Sequence, residues 1–180
     1  MAQRFEGNTE GKGIKVGIVI SKFNEPIVEN LLKGALLGLG DNGVSENDIK
    51  VFYVPGAFEI PLLLKKLCTK NEIQKEFDVF ITIGCVIKGD TAHFEYISRA
   101  VTDGVNKINI EHQIPATFCV LTCYTPLQAY ERSGNPPTAS NNKGYEASLS
   151  LLEMINLMKK SEADSKSNWL RTNSFLIHAV

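Results

Sequence analysis

The sequence lacks the features that mark several large classes of protein. No apolar run reaches the roughly 18 residues that a membrane-spanning helix needs, and the first residues lack the apolar core of a secretory signal peptide. The formal net charge is only −1, so there is no basic excess that would attract nucleic acid or an anionic membrane. We therefore expect a cytoplasmic protein that binds neither nucleic acid nor membrane.

The chain also lacks paired cysteines and the glycine-rich nucleotide signatures. Its four cysteines lie mostly within apolar runs and form no CxxC pair near histidines, which favours buried free thiols over disulfides or a metal site. Neither GxxxxGK[ST] nor GxGxxG occurs, so nucleoside triphosphates and dinucleotides are not the expected ligands. A small phosphorylated molecule is a better candidate.

What the sequence does contain is an alternation of apolar runs and amphipathic segments. Apolar, β-branched runs predict strands over 15–21, 49–54, 79–86 and 116–124, and helical spacing predicts helices over 24–40, 57–67, 93–110, 126–132 and 144–159. Asn24 is expected to cap the first helix. Because helices cross over between successive strands, we expect an α/β three-layer sandwich of flavodoxin-like type, with a four-stranded, mainly parallel sheet.

The length of 180 residues fits one domain, and no internal repeat is visible. We divide the chain into an N-terminal arm, 1–13, a domain, 14–160, and a C-terminal tail, 161–180. The arm is glycine-rich and polar, and another surface could order it. The tail gives no clear structural prediction.

Ligands of open α/β sheets bind outside the carboxyl ends of the strands, so we examined the residues that follow each predicted strand. In chain order, these residues are Phe23 and Asn24, then Phe58 and Glu59, then 88–93, and finally Thr122, Tyr124 and Arg132. Aromatic, acidic, basic and anion-binding groups therefore converge on one edge of the predicted sheet.

The turn 89–91 and Arg132 are the candidate anion-binding groups. Backbone amides at the start of a helix favour a phosphate, but a plain turn capped by Asp90 or Thr91 explains the same residues equally well. Arg132 could grip a phosphate with two parallel hydrogen bonds, although a solvated arginine at a helix end is the commoner case.

His93 and two phenylalanines are the candidates for catalysis and ring binding. His93 is a natural general acid or base because the pKa of imidazole lies near neutrality, although most histidines are structural. Phe23 and Phe58 could stack on a flat heterocycle, and Glu59 could accept hydrogen bonds from hydroxyls or ring nitrogens. From spacing alone, core positions for both rings are the favoured alternative.

Four motifs, in chain order, resemble those of the 6,7-dimethyl-8-ribityllumazine synthase family, which acts at the penultimate step of riboflavin synthesis. They are SKFN at 21–24, PGAFEIP at 55–61, GCVIKGDTAHFEY at 84–96 and NKG at 142–144. The resemblance extends from about residue 14 to 158. It implies a transferase that condenses 5-amino-6-(D-ribitylamino)uracil with 3,4-dihydroxy-2-butanone 4-phosphate, with release of phosphate and water and without a metal or organic cofactor.

The resemblance also implies a role for each matching residue. His93 would move protons, and Gly89, Asp90, Thr91 and Arg132 would bind phosphate. The pyrimidine and its ribityl chain would contact Phe23, Asn24, Ala57, Phe58, Glu59, Val86, Ile87, Lys88, Phe118 and Lys143, with Phe118 reaching the site from a neighbouring subunit.

Members of this family assemble as pentamers, some of which close into icosahedral shells, and their active sites lie between subunits. The N-terminal arm could then add a strand to a neighbour. Two features depart from the family pattern: Leu127 stands where a glutamate is common, and the segment between Arg132 and Asn142 is a few residues longer than in many members. The extra length favours a pentamer over a shell.

Two alternative functions from other classes are compatible with the sequence. A flavin- or pterin-binding module could use the same aromatic edge without turnover. A shell or scaffold protein could retain the fold with an inactive site. Substrate consumption and phosphate release distinguish both from an enzyme.

Overall fold

The computed structural model describes residues 2–134, 137, 138 and 141–177, the part from 165 onward by its backbone alone. Four strands alternate with five α-helices, and two short 3₁₀ turns lie at Glu46–Asp48 and Ala57–Glu59. In chain order the elements are β1 (Val16–Ser21), α1 (Glu25–Asp41), β2 (Ile49–Val54), α2 (Ile60–Gln74), β3 (Val79–Ile87), α3 (His93–His112), β4 (Ala116–Cys123), α4 (Pro126–Ser133) and α5 (Lys143–Ile177).

The strands form one sheet in the order β2-β1-β3-β4, and every described pair is parallel. In β1, one of the two central strands, Ile18 lies beside Val51 of β2 on one side and Ile81 of β3 on the other. This is the strand order of the flavodoxin-like fold, whose order reverses between β1 and β3. The predicted α/β three-layer sandwich is confirmed, with a wholly parallel sheet.

Two apolar layers cover the faces of the sheet. Alternate residues of β1 and β3 pack against α1 and α5 on one face, and the others pack against α2 and α3 on the opposite face. Both central strands are buried almost throughout, which explains why their sequences are continuous apolar runs rather than alternating ones. Burial of each large aliphatic side chain contributes about 1.5–3 kcal/mol relative to exposure.

Two helices extend beyond their predicted ends. α2 continues to Gln74, and Lys75 ends it in a left-handed conformation with φ 48°. The prediction ended this helix at residue 67, but Asn71 is buried and exchanges two hydrogen bonds with the backbone of Phe77, which keeps the last turn against the sheet. α5 continues to Ile177, through the tail for which we made no structural prediction.

Asn24 is the N-cap residue of α1, as predicted, but its side chain does not bond the helix. Asn24 has a left-handed backbone, φ 61° and ψ 42°, and makes no side-chain capping bond. Its Nδ2 instead donates to the carbonyl oxygen of Cys85 at 2.9 Å. This conformation, which asparagine tolerates better than most residues, turns the amide toward the end of β3 and joins two strand ends at the edge of the sheet.

The N-terminal arm lies along α5 of its own chain. Asn156 Nδ2 donates to the carbonyl oxygens of Asn8 and Glu10 at 2.9 Å each, and the Gly11 amide donates to Asn42 at 2.8 Å. The addition of a strand to a neighbouring subunit by this arm stays a prediction. Of the helices in the described part of the chain, none is long and apolar enough to cross a membrane.

Candidate active site

A hollow of about 390 Å³ opens at the carboxyl ends of β1, β2 and β3. It lies where the strand order reverses, which is the usual ligand position in this class of sheet. Nine of the predicted site residues contribute to its lining: Phe23, Ala57, Phe58, Glu59, Val86, Ile87, Gly89, Thr91 and His93. We call this space the first hollow.

The two phenylalanine rings at the first hollow are exposed. Phe23 in the turn after β1 is 69% exposed, and Phe58 in the 3₁₀ turn after β2 is 58% exposed. The alternative that places both rings in the core is therefore wrong for this chain. An exposed ring beside a hollow offers an apolar face on which a flat heterocycle can stack.

The segment after β2 brings a carboxylate to the same hollow. Gly56, Ala57 and Glu59 all line it, with Ala57 buried and Glu59 half-buried. A Cβ added at Gly56 would lie 3.0 Å from Glu59 Oε2, so the carboxylate lies close over the glycine backbone. The local sequence explains the geometry, because Pro61 falls in the first turn of α2, where its missing amide hydrogen costs little.

The turn after β3 ends in a helix start without a side-chain cap. The Lys88 amide still bonds the Cys123 carbonyl of β4 at 2.9 Å, after which residues 89–92 are exposed and α3 begins at His93. Ala92 is the N-terminal cap residue, and the His93 amide reaches Thr91 Oγ1 only at 3.4 Å, beyond a normal hydrogen bond. The turn therefore offers amides at the positive end of a helix dipole.

Lys88 lies beside the first hollow rather than in its lining. Its Nζ is 5.9 Å from the centre of the Tyr124 ring, and Tyr124 makes an edge contact with Phe94 at 6.2 Å between ring centres. Phe94 and Ile97 also line the hollow, and the sequence interpretation missed both. Ile97 lies one helical turn after His93, so the spacing of residues on one helix face could have identified it.

A second hollow, of about 350 Å³, contains three of the six remaining predicted residues, Phe118, Arg132 and Lys143. It lies along β4, one of the two edge strands of the sheet, and beside α4 and α5. Its lining consists of Phe118, Cys119, Val120, Leu121, Thr122, Arg132, Lys143, Glu146, Ala147 and Ser150. The two hollows share no lining residue, so within one chain Arg132 and the turn 89–91 line different hollows.

The second hollow carries two cations and one carboxylate. Lys143 Nζ contacts Glu146 Oε1 at 2.8 Å and Oε2 at 2.6 Å, and Arg132 Nη1 donates to the Gln128 carbonyl at 3.0 Å. Both cationic side chains are exposed. An anion that enters this hollow would meet an arginine with further N–H donors and a lysine that already has an acidic neighbour.

The four cysteines are free and buried, as the sequence predicts. Burial raises the pKa of the Cys85 thiol, which lines the first hollow, to about 12, and nearby Cys123 adds to the effect. A thiol with that pKa is protonated at neutral pH and is a poor nucleophile. In the described part of the chain, no cluster of three or more His, Cys, Asp or Glu side chains could hold a metal ion.

The sequence of this chain matches the model of a known protein family. The family model described as 6,7-dimethyl-8-ribityllumazine synthase matches residues 13–159. The matched region contains all four strands, the helices α1–α4 and the first part of α5. It therefore includes every residue of both hollows.

Proposed function

The chain belongs to the 6,7-dimethyl-8-ribityllumazine synthase family, a family of riboflavin-biosynthesis enzymes, and we propose that it catalyses the condensation that gives the family its name. The substrates would be 5-amino-6-(D-ribitylamino)uracil and 3,4-dihydroxy-2-butanone 4-phosphate, and the products would be the lumazine, phosphate and water. The imine would form on the amine of the pyrimidine substrate itself, so neither a lysine Schiff base nor a cofactor is required. We propose a cytoplasmic location and a catalytic unit within 14–160.

The observation that carries this proposal is the composition of the first hollow. Exposed aromatic rings, a carboxylate, an uncapped helix start and an imidazole converge in one space of about 390 Å³. Phe23 would stack on the pyrimidine, while Phe58 and Glu59 would hold the ribityl chain. His93 would transfer protons between the condensing groups.

The second hollow supports a site built from two chains. The family relation implies a homo-oligomer, and we propose a pentamer rather than an icosahedral shell. In that assembly Phe118, Arg132 and Lys143 of one subunit would complete the first hollow of the next, where Arg132 and the turn 89–91 would bind the phosphate together. A heterologous contact of this kind, repeated around a ring, closes the assembly.

Positioning should contribute more to catalysis than proton transfer. Alignment of two bound reactants can lower a barrier by about 7–11 kcal/mol. General acid or base catalysis typically raises the rate about 10²–10⁴-fold, which corresponds to a barrier lower by about 3–5 kcal/mol. We therefore assign most of the rate enhancement to the groups that hold the two substrates, and a smaller part to His93.

An absorbance assay for lumazine formation from the two substrates tests the proposal, with inorganic phosphate measured in parallel. Stoichiometric formation of both products is the expected result. A flavin- or pterin-binding module, or an inactive scaffold, would consume neither substrate, and that outcome would refute the enzyme assignment. A solution mass determination on the same sample tests the pentamer.

The phosphate role of Arg132 has its own test. Arg132→Ala should raise KM for the phosphorylated substrate strongly and KM for the pyrimidine little, because charge-assisted hydrogen bonds contribute about 1.5–3 kcal/mol each. Arg99→Ala is the matched control, since Arg99 forms only an exposed pair with Asp103 at 3.8 Å. Equal effects of Arg132→Ala on both KM values would disprove the role.

A further inference from the structure

One buried side chain connects α1, α4 and α5, and the last two of these helices border the second hollow. Asn142 directly precedes Lys143 and is 0% exposed. Its Oδ1 accepts from the amides of Gly144 at 2.7 Å and Tyr145 at 3.2 Å, which caps the start of α5. Its Nδ2 donates to the carbonyl oxygens of Asn30 in α1 and Ser133 in α4.

These two donor bonds form a bridge that helix capping does not require. Ser133 directly follows Arg132, so the bond to its carbonyl fixes the chain at the end of α4 next to that arginine. Asn30 strengthens the connection, because its own Nδ2 donates to the Gly134 carbonyl at 2.9 Å. Along the chain Arg132 and Lys143 are separated by ten residues, but the carboxamide of Asn142 joins their neighbouring residues directly.

The packing around Asn142 leaves space for this bridge. A Cβ added at Gly34 of α1 would collide with the Asn142 carboxamide, so the glycine allows α1 to approach it closely. The carboxamide uses both of its donor hydrogens and its acceptor oxygen in four hydrogen bonds. A fully satisfied buried amide fixes a single geometry, because any displacement leaves polar groups unpaired.

We propose that Asn142 is a positioning residue that holds Arg132 where phosphate binding requires it. The inference rests on the proposed function, in which Arg132 and the turn 89–91 of a neighbouring subunit bind the phosphorylated substrate. Asn142 itself is buried and does not line the second hollow. It acts through the backbone of Ser133, the residue that directly follows Arg132.

The capping and bridging roles of Asn142 can be separated by substitution. Asn142→Ser retains an oxygen that can cap α5, but a hydroxyl cannot donate to two carbonyls in different helices. If the bridge positions Arg132, we expect a roughly tenfold rise in KM for the phosphorylated substrate, the change that loss of one net hydrogen bond of about 1.4 kcal/mol produces. KM for the pyrimidine should stay within about twofold of wild type, which corresponds to about 0.4 kcal/mol.

Asn71→Ala is the matched control for loss of a buried amide. Asn71 is 7% exposed, and its carboxamide donates to the Phe77 carbonyl at 2.6 Å and accepts from the Phe77 amide at 2.7 Å. It lies at the end of α2, near the amino end of β3 and away from the carboxyl edge. This variant should lower the thermal midpoint and leave both KM values unchanged, which separates positioning from general stability.

Asn30→Ala provides a second measurement that does not disturb the cap of α5. It removes the bond to the Gly134 carbonyl and retains the backbone oxygen that Asn142 contacts. A selective but smaller rise in the same KM is expected. It supports the proposal even if Asn142→Ser does not fold.

Three outcomes would overturn the inference. One is a normal KM for the phosphorylated substrate in both Asn142→Ser and Asn30→Ala while Arg132→Ala raises it; this would leave the proposed function intact. Another is an equal rise for both substrates, or the same selective rise in Asn71→Ala, which would make the effect one of general stability. The third is a wild-type protein without turnover, which would refute the proposed function and the inference together.

Discussion

Co-assembly of two inactive variants tests whether one active site uses two chains. His93 lines the first hollow and Arg132 the second, and the hollows share no lining residue. If a site combines the first hollow of one subunit with the second hollow of its neighbour, chains that carry His93→Ala and chains that carry Arg132→Ala can form intact sites between them. If both hollows act within one chain, every site stays defective.

The expected magnitude follows from the chemistry of each group and from random mixing. Loss of a general acid or base lowers the rate about 10²–10⁴-fold, and loss of two charge-assisted hydrogen bonds at about 1.5–3 kcal/mol each lowers kcat/KM for the phosphorylated substrate by a similar factor. With that substrate held well below the KM of the Arg132→Ala variant, each variant alone should therefore retain about 1% of wild-type activity or less. In a random equal mixture, each half of a site is intact with a probability of one half, so about a quarter of all sites are complete.

The assay compares co-expressed, doubly tagged assemblies with a mixture of the two separately purified variants. Co-expression should restore about a quarter of wild-type turnover, whereas the mixture should remain at the level of its parents unless subunits exchange. Wild type co-expressed in equal amount with a chain that carries both His93→Ala and Arg132→Ala is a second control. A split site predicts about a quarter of wild-type turnover in this co-assembly, and a site within one chain predicts about a half. Co-assemblies no more active than the parents would refute the split site.

Three further predictions concern His93, two buried cysteines and the C-terminal segment. His93→Ala should lower kcat by about 10²–10⁴-fold yet leave turnover above the uncatalysed condensation, and complete loss with intact folding and binding would contradict it. Burial raises the pKa of Cys85 and Cys119 to about 12, so a disulfide reagent at mildly alkaline pH should label them only after denaturation. Unfolding then releases thiol protons, so stability in denaturant titrations should fall as pH rises above about 9. A chain ending at Lys160 should retain turnover and a thermal midpoint within a few degrees, and an inactive product would contradict the domain boundary.

The strands and the fold class could be predicted because local sequence determines them. Strands buried on both faces need continuous apolar, β-branched residues, and the two strands of this kind, β1 at Val16–Ser21 and β3 at Val79–Ile87, lie within one residue of their predicted bounds. Helix ends were less predictable. The amide of Asn24 bonds Cys85, which is 61 residues away, and a capping rule based on neighbouring residues contains no information about such a contact.

The candidate site was predictable in its position but not in its arrangement. The alternation of strands and helices places Phe23 and Phe58 at the carboxyl edge, yet spacing alone favoured buried rings, because exposure depends on packing between distant segments. Arg132 lies on α4 and lines the second hollow, whereas the turn 89–91 follows β3 and lines the first. This difference depends on packing between distant segments, and a local sequence pattern contains no information about it.

The position of β4 makes assembly part of catalysis in this proposal. The strand order reverses between β1 and β3, which creates the first hollow within one chain, but β4 lies at the edge and holds Phe118 and the second hollow beside it. A separated chain would keep Phe23, Phe58, Glu59 and His93 but would lack the Arg132 of its neighbour, which holds the phosphorylated substrate in this proposal. Because alignment of two substrates contributes about 7–11 kcal/mol and proton transfer about 3–5, loss of the neighbouring subunit should reduce turnover more than loss of His93 does. Dilution or an interface substitution that dissociates the oligomer should therefore abolish activity while the circular dichroism of the folded chain persists.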